Sequence, residues 1–356
     1  MDKKNKIAIV VYTLRQGGLE RVVSNQTFLF YKLGFEVELF VLEQGIDFEY
    51  KGKLRIYDIK QSDNFFSKII KYNKLRRDLS IGNFDYVLDH RYRLNDFIES
   101  FWINLIYKNL NIFYFIHSSD VSSYLNPRIA SNSKIKFISV SNGIEVKSKQ
   151  LYPKIKIQTI YNNVEVPKNE NIFREIEDDY ILAVGRMDEF NVKQFDLLID
   201  CYSKSDLPNQ NIKLLILGSG TLMEVLKDQV SNLNLQDLVV FKGFEANLYS
   251  YYKNAKFLVL SSKYEGLGMV LIESLFCETP VVSFDCDFGP SEIIQDKFNG
   301  LLVENQNSTK LIEAMNLFLN DENLYTFCKS NALNSVIKFS EENISKKWIS
   351  IFNDKY

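Results

Sequence analysis

Short apolar runs alternate with longer amphipathic stretches along the whole chain. In the first half the apolar runs are IAIVVY, EVELFVL, LRIYDI, DYVLDH, NIFYFIH and KFISVS. Helix-length segments lie between them, through Phe30, near 65–80 and near 94–109. Continuous apolar runs are typical of strands buried on both faces, and helices are the usual connection between parallel strands. The pattern predicts a doubly wound α/β domain.

The alternation stops between Tyr161 and Asp178, where the polar, acidic segment predicts a linker. It restarts with the runs YILAVG, IKLLILG, DLVVFKG, AKFLVLSS, PVVSFD and GLLVE, again separated by helix-length segments. Three more helices are predicted at 308–320, 322–336 and 341–353. We therefore predict two α/β domains of similar size, at 1–163 and 164–339.

Composition limits the class of protein. With 46% hydrophobic and 25% charged residues among 356, the chain is globular in type. Its first apolar run stops at Val11, which predicts a strand and not a signal peptide, and no run reaches the roughly 18 to 20 residues of a membrane helix. Four scattered cysteines without a C-x-x-C pair, and only two histidines, predict reduced buried thiols and no metal site. We expect a cytoplasmic protein.

Charge is distributed unevenly along the chain. Residues 1–160 carry 25 basic and 16 acidic side chains, whereas the rest carries 18 and 29. The segment 65–80, FFSKIIKYNKLRRDLS, mixes apolar and basic residues. It is consistent with a helix on an anionic membrane surface at the inner face of the plasma membrane, although a sheet-covering helix whose outer face is basic is the commoner explanation.

The loop after the first strand, TLRQGGLERVV, contains Gly17 and Gly18. Two glycines let a backbone approach a ligand closely, and the helix that follows offers free N–H groups to an anion. A tight turn without a ligand explains the same pair. The G-x-G-x-x-G fingerprint of a dinucleotide site is absent.

Two strand ends of the first domain carry histidine. His117 ends the fifth apolar run and is a candidate for the ligand cleft, although a lone histidine at a strand end is often structural. His90 ends the fourth run beside Arg91 and Arg93. These three residues form either a solvated basic edge or a site for an acceptor phosphate.

In the second domain, the first strand ends at Gly185 and is followed by Arg186 and, seven residues later, by Lys193. The carboxyl edge of a parallel sheet is where such folds bind ligands, and two cations there suit a diphosphate. Exposed loop charges are the alternative.

The stretch SSKYEGLGMVLIESLF is the most informative one. Gly266 and Gly268 allow close backbone approach, and the amides near Met269 open a helix whose dipole favours phosphate by about 0.3–1 kcal/mol. Glu265 and Glu273 flank this anion nest. Because phosphate repels carboxylates, we expect both to accept hydrogen bonds from sugar hydroxyls, Glu265 on a donor sugar and Glu273 on a ribose.

These residues, in this order, resemble the retaining glycosyltransferases of family 4, which have the GT-B fold: two Rossmann-like doubly wound domains facing a central cleft. The resemblance covers essentially the whole chain and is strongest from Tyr180 to Asn305. The matching elements are G-G-x-E-R at Gly17, His117, Gly185-Arg186 with Lys193, Gly218-Ser219-Gly220, Lys242-Gly243-Phe244, the E-x7-E element from Glu265 to Glu273, Gly289-Pro290-Ser291-Glu292 and Asn299-Gly300-Leu301.

The resemblance implies a role for each matching residue. Arg186 and Lys193 would hold the donor diphosphate in place of a metal ion. Gly17 and Gly18 would lie over the phosphates, and Gly185 is a further implied donor contact. The base would lie near Gly243 and Phe244, and the ribose would contact Glu273. The transferred sugar would contact Glu265, Gly266, Leu267, Gly268 and Met269. His117 would approach the sugar.

The resemblance also implies that the C-terminal helix, within 340–356, packs back on the first domain. One departure concerns the arginine-to-lysine loop. It is longer than usual, and Gln194 follows Lys193 where glycine is common.

The expected activity is transfer of a hexose or N-acetylhexosamine from a UDP-sugar to a glycan or lipid-linked glycan of the bacterial surface. UDP is the family's commonest nucleotide and is not read from any residue. We expect no cofactor and no nucleic-acid partner. The alternatives are a GT-B nucleotide-sugar epimerase, a NAD-binding oxidoreductase and a silent sugar-binding module.

Overall fold

A computed structural model describes residues 5–93, 96–164 and 179–353 of the chain. They form two compact units, one made of Met1–Asn163 with Ile344–Tyr356 and the other of Val164–Asn343. The predicted linker lies outside the described residues from position 165 to 178.

The first unit is built on a parallel sheet. Its strands are β1 (Lys6–Val11), β2 (Glu36–Val41), β3 (Lys53–Ile56), β4 (Tyr86–Asp89), β5 (Ile112–Ile116), β6 (Ile135–Ser139) and β7 (Ile157–Thr159). They lie in the order β3-β2-β1-β4-β5-β6-β7, all parallel. Ile9 of β1 pairs with Leu39 on one side and Leu88 on the other. The apolar runs are buried because helices cover both faces.

The helices of the first unit are α1 (Gly18–Lys32), α2 (Phe65–Ile81), α3 (Asp96–Phe101), α4 (Pro127–Ala130) and α5 (Asn142–Leu151). A π-helical turn, Trp102–Ile106, follows α3, so the helix predicted near 94–109 is present over 96–106 but is α-helical only in its first part. Helix α5 and strand β7 have no counterpart in the predicted pattern. Helix α5 begins where the Ser141 hydroxyl accepts a hydrogen bond from the Ile144 amide, a local cap.

The second unit repeats this architecture. Its strands are β8 (Tyr180–Val184), β9 (Lys213–Leu217), β10 (Val239–Gly243), β11 (Leu258–Leu260), β12 (Val281–Phe284) and β13 (Gly300–Val303), in the order β10-β9-β8-β11-β12-β13. Its helices are α6 (Phe195–Ser203), α7 (Met223–Asn232), α8 (Tyr249–Asn254), α9 (Met269–Phe276), α10 (Pro290–Ile293), α11 (Ser308–Asn320) and α12 (Glu322–Ser335). All predicted strands are present, and the predicted α/β class is confirmed.

The last helix, α13 (Glu341–Asn353), contributes aromatic side chains to the first unit's core. Trp348 is buried, and its ring centroid lies 5.3 Å from that of Phe30. Phe352 stacks on Tyr86 at 4.2 Å between centroids. Packing of these two large rings is a major part of what holds this helix on the unit.

All four cysteines are buried and free, as predicted. Among the described residues, no helix combines the length and apolarity that crossing a bilayer requires.

Candidate active site

The second sheet reverses its winding between β8 and β11. From β8 the chain proceeds outward through β9 and β10, then returns to build β11, β12 and β13 on the other side. Loops that leave the carboxyl ends of two such neighbouring strands diverge and open a crevice, the usual ligand position in this fold class. Gly185 and Arg186 follow β8, and Ser261 and Ser262 follow β11.

The loop from Arg186 to α6 is fixed by the segment that follows β11. The Ser261 hydroxyl donates to the Lys193 carbonyl oxygen at 2.7 Å, and the Lys263 amide donates to the Val192 carbonyl oxygen at 2.8 Å. These bonds define the path that the longer arginine-to-lysine spacing left open. Gln194, at the position where glycine is common, has a φ of 48°, in the left-handed region that favours glycine.

Lys193 and Glu265, predicted for different parts of a ligand, are in direct contact. The Lys193 Nζ atom lies 2.5 Å from Glu265 Oε1, and the Ser262 hydroxyl donates to the same oxygen at 2.7 Å. Both side chains are largely shielded, with 22% and 12% exposure. A shielded pair keeps both charges at defined positions, and it leaves the second carboxylate oxygen of Glu265 outside these two bonds.

Arg186 differs from Lys193 in its surroundings. Its side chain is 58% exposed, and its Nε atom lies 3.7 Å from Asp188 Oδ2. An exposed, loosely paired guanidinium can turn toward an incoming anion at little cost. The site therefore has one fixed and one adaptable cation.

Glycines shape the backbone around these charges. Gly268 is the N-cap of α9 and has a φ of 88°, in the left-handed region that favours glycine. The first amides of the helix point out of this end and are available to an anion. Gly218 has a φ of 136°, and a Cβ there would lie 1.8 Å from the Gly185 carbonyl oxygen. No larger residue fits at that position.

The loop after β12 lies against this cluster. The Glu265 amide donates to the Asp287 carbonyl oxygen at 2.6 Å. Asp285 and Asp287, which follow β12, thus belong to a loop beside Glu265.

Glu273 is on α9 and is almost completely buried, at 1% exposure. Its Oε2 accepts a hydrogen bond of 2.7 Å from the hydroxyl of Tyr252, on α8. Gly243 ends β10, and its carbonyl oxygen accepts from the Gly218 amide at 2.7 Å. A Cβ on Gly243 would meet no atom within 4 Å, so open space lies beside it and Phe244 follows.

In the first unit, Gly17 caps α1 and its carbonyl oxygen accepts from the Arg21 amide at 3.1 Å. A Cβ on Gly17 would lie 2.0 Å from the Glu20 carboxylate, whereas one on Gly18 would meet nothing within 4 Å. The pair follows β1, one of the two strands at which the first sheet reverses its winding.

His90 and His117 form a pair, which the sequence did not predict. They directly follow the neighbouring strands β4 and β5, and His90 Nδ1 lies 2.9 Å from His117 Nε2. Burial, with a smaller contribution from Arg93, lowers the pKa of His117 to about 3. Burial, then His117 and Arg93, places the pKa of His90 well below its usual value. Both rings are neutral at physiological pH.

The expected basic edge at His90, Arg91 and Arg93 is wrong. Arg91 is fully buried, 2.8 Å from Asp89 and 3.2 Å from Glu99, with its guanidinium 3.4 Å from the ring centroid of Trp102. Two carboxylates neutralise it and an indole covers it, so an acceptor phosphate cannot reach it. It holds β4 to the helical segment instead.

Arg93 and His90 are buried as well. The Arg93 guanidinium donates to the carbonyl oxygens of Phe115 at 2.9 Å and Asp89 at 3.2 Å. It lies over the Tyr114 ring, 3.9 Å from the centroid. None of the three residues is a solvated side chain. They are part of the interior beneath the carboxyl edge of the sheet.

Three further residues of the site were not predicted from the sequence. Ser261 and Ser262 fix the Lys193 loop and Glu265, and Tyr252 bonds to Glu273. The two serines directly after a buried strand were a usable signal, because a strand that ends in hydroxyl groups at a sheet edge places them near neighbouring loops. Tyr252 had no local signal.

Known proteins match both the sequence and the fold. Residues 167–335 match the family model described as glycosyl transferases group 1. A Campylobacter jejuni protein named N-acetylgalactosamine-N,N'-diacetylbacillosaminyl-diphospho-undecaprenol 4-alpha-N-acetylgalactosaminyltransferase is 29% identical over 367 residues, 96% of this chain and 97% of that protein. The poly(ribitol-phosphate) alpha-N-acetylglucosaminyltransferase of Staphylococcus aureus is 29% identical over 55% of this chain and 40% of that protein.

Two solved structures share the fold. A point mutant of S. aureus TarM, in complex with Fondaparinux, alpha-GlcNAc-glycerol and UDP, has a TM-score of 0.81 at 17% identity over 98% of this chain and all of that one. The pneumococcal O-GlcNAc transferase GtfA, in complex with UDP and GlcNAc, has a TM-score of 0.82 at 12% identity over 99% of each.

The fold is that of the GT-B glycosyltransferases. Residues 167–335 are thus similar to the group 1 glycosyl transferases, and the relatives that cover nearly the whole chain are bacterial glycosyltransferases. These comparisons support a transferase and not the epimerase, oxidoreductase or binding-module alternatives.

Proposed function

We propose that this enzyme, as a member of family 4, transfers a hexose or N-acetylhexosamine from a UDP-sugar, with retention of configuration and without a metal ion. The acceptor is a glycan or lipid-linked glycan in bacterial surface polysaccharide synthesis. The observation that carries the proposal is the contact of Lys193 with Glu265 at the switch point that Arg186 also borders. A diphosphate ligand and a hydroxyl-rich sugar need this combination of fixed cation and shielded carboxylate.

The proposed mechanism assigns leaving-group stabilisation to the protein. As the glycosidic bond breaks, negative charge grows on the β-phosphate, and Arg186, Lys193 and the amides after Gly268 meet it. Glu265 holds Lys193 in place, and the ammonium is shared between this carboxylate and the phosphate when the donor is bound. Because the cation is already in place, little reorganisation is needed at the transition state.

The remaining contacts follow the same assignment. Glu265 accepts hydrogen bonds from the transferred sugar beside the backbone of Gly266 to Met269, and Glu273 accepts from the ribose. The base lies near Gly243 and Phe244. Gly17 and Gly18 close over the phosphates, and His117 approaches the sugar. The relatives' names support an N-acetylhexosamine, and UDP in two structural neighbours supports the nucleotide.

A second part of the proposal is peripheral attachment to an anionic membrane at the inner face of the plasma membrane. Helix α2 exposes Phe65, Phe66 and Ile70 at 73%, 76% and 68%, and the adjoining α3 exposes Phe97 at 82%. Lys74, Arg76 and Arg77 on α2 are also exposed. Exposed apolar and cationic side chains together match the chemistry of an anionic bilayer surface. The lipid-linked substrate named for the Campylobacter relative is compatible with this location.

The activity is tested by incubating the protein with each of several UDP-sugars and a set of polyprenol-linked glycans. We expect UDP release only when acceptor is present, and a product whose new linkage keeps the donor's anomeric configuration. Sugar isomerisation without acceptor would indicate an epimerase, and an inverted linkage would contradict the retaining mechanism.

A further inference from the structure

His90 and His117 are the only two histidines of the chain, and they contact each other. His90 is buried at 1% exposure and stacks on Phe115, with ring centroids 3.9 Å apart. His117 is half-buried at the carboxyl edge of the sheet. Its Nε2 atom is occupied by His90, so Nδ1 is the nitrogen left for a ligand.

The two possible arrangements of this pair differ in which ring nitrogens carry a proton. If His90 Nδ1–H donates to His117 Nε2, then His90 Nε2 is bare and His117 carries its proton on Nδ1. If His117 Nε2–H donates instead, His90 must carry its proton on Nε2. Among the described residues, His90 Nε2 is buried without a hydrogen-bond partner. The second arrangement therefore leaves an N–H donor buried and unsatisfied.

The surroundings add to this preference. The buried Arg93 guanidinium, whose Nη1 and Nη2 atoms donate to carbonyl oxygens, contributes positive charge near both rings. A positive charge disfavours protonation of either imidazole and, with burial, keeps both pKa values below the ordinary range. Both rings are therefore neutral, and a single proton lies in the hydrogen bond between them.

We propose that His90 is a positioning residue that holds His117 as the Nδ1–H tautomer, so that His117 offers a hydrogen-bond donor to a sugar oxygen. The inference rests on the proposed function in one respect, the approach of His117 to the transferred sugar. The tautomer itself depends only on the first unit. A donor at this position selects a hydroxyl or ring oxygen and disfavours a ligand group that can only donate.

The tautomer can be read directly from a long-range proton–nitrogen NMR spectrum of the whole protein, because only two imidazoles contribute. The variant His90→Phe assigns the remaining ring. We expect two neutral rings near pH 7, each protonated on Nδ1. A His117 ring protonated on Nε2, or one that is doubly protonated, would overturn the proposal, and neither result depends on catalysis.

Kinetics with the best UDP-sugar supply the functional readout. His90→Phe keeps ring packing but frees His117 to populate both tautomers, so the donor's KM should rise about threefold to tenfold as the competent fraction falls. His90→Asn, which can return an N–H near the Nδ1 position, should recover to within about twofold. In a His117→Ala background, His90→Phe should have no further effect. An equal loss in both backgrounds, or no recovery in His90→Asn, would contradict a role through His117. A protein without transferase activity would refute the proposed function and leave the NMR result standing.

Discussion

At the scale of single residues, Gln194 departs from the family pattern, and its backbone conformation explains why glycine is common at this position. The residue begins α6 in a left-handed conformation, where side chains with a Cβ cost about 1–2 kcal/mol. It is buried, and its Oε1 atom has no hydrogen-bond partner among the described residues. The bonds from Ser261 and Lys263 hold the loop in place despite this cost.

We predict that Gln194→Gly raises the free energy of unfolding of the second unit by about 0.5–1 kcal/mol, because relief of strain exceeds the added chain entropy of glycine. Urea unfolding measures it. Asn191→Gly is a matched control, because Asn191 also has a positive φ but donates to Asp196 at 2.9 Å. It should be neutral or destabilising. A lower midpoint for Gln194→Gly would mean that its buried side chain contributes more than the strain costs.

The histidine pair predicts a pH dependence of stability. The folded-state pKa of His117 is about 3 and that of His90 is also depressed, whereas both are near 6.5 when unfolded. Below pH 6.5 the unfolded chain binds more protons than the folded one, so stability is lost as the pH falls. Each ring adds a slope of at most about 1.4 kcal/mol per pH unit.

Urea unfolding at pH 7 and pH 5 should therefore show a smaller drop for the double variant His90→Asn, His117→Gln than for the wild type. Carboxylates titrate mostly below this window and change little between the two proteins. Equal drops would show that the rings are not held neutral.

The two site cations predict the source of leaving-group stabilisation. Arg186→Ala and Lys193→Ala should each lower kcat by a factor of roughly 10² to 10³, the range for removal of one transition-state donor. Activity should survive EDTA. Glu273→Ala should mainly weaken donor binding, because a ribose contact is present in both the ground and transition states. Lys227→Ala on α7, paired with Glu224 on the surface, is the matched control. Loss of activity with EDTA and recovery with manganese, while both cation variants remain active, would exclude this mechanism.

Residue types at strand ends were predictable, but their contacts were not. The sequence places His90 and His117 after neighbouring apolar runs, yet only the sheet order brings the rings to 2.9 Å. Arg91 looked solvated because its partners, Asp89 and Glu99, are two and eight residues away and Trp102 is eleven away. A local pattern does not reveal a cation enclosed from three directions.

At the scale of elements, the apolar strands were predictable because burial on both faces leaves a continuous signal. The helix near 94–109 was predictable too, but its change from a regular α-helix into a π-helical turn at Trp102 was not. That turn brings the rings of Trp102 and Tyr107 to the Arg91 guanidinium. The periodicity of a sequence does not indicate such tertiary contacts. Strand β7 has three residues and only one of them is buried, so its signal is weak.

Helix α2 did not match the expected amphipathic pattern of a sheet-covering helix. Its buried residues are Leu75, Asp78 and Leu79, whereas Phe65, Phe66 and Ile70 face away from the core. We predict that the protein binds anionic vesicles, and that binding falls as salt rises. Each of Lys74, Arg76 and Arg77, changed to Gln, should cost about 1 kcal/mol, or roughly fivefold in vesicle affinity.

Changing Phe65, Phe66 and Ile70 to Ser should weaken vesicle binding at all salt concentrations. Phe327→Ser is the control, because Phe327 is 51% exposed on the second unit. Sedimentation with vesicles of defined composition measures all variants. Equal capture by neutral and anionic vesicles would remove the electrostatic part of the proposal.

At the scale of the whole molecule, both sheets reverse their winding next to their first strand, at β1–β4 and at β8–β11. The candidate residues of each unit lie at that unit's own reversal: Gly17 and His90 in one, Arg186 and Glu265 in the other. This correspondence was predictable, because the alternation of strands and helices and the position of each motif after a strand imply it. The pairings within each unit required the structure.

The final prediction concerns motion of the two units. The proposed donor contacts come from both, Lys193 and Glu265 from one, and Gly17, Gly18 and His117 from the other. A site that admits two substrates and then excludes water must open and close, so saturating UDP should reduce the radius of gyration. Small-angle scattering with and without UDP measures this change. Thermal shift verifies occupancy, since a ligand at about 100 times its Kd adds about 2.7 kcal/mol of stability. The variant Lys193→Ala, with weakened diphosphate binding, should need more UDP for the same change. Identical scattering profiles from a protein that UDP demonstrably stabilises would rule out closure driven by the nucleotide.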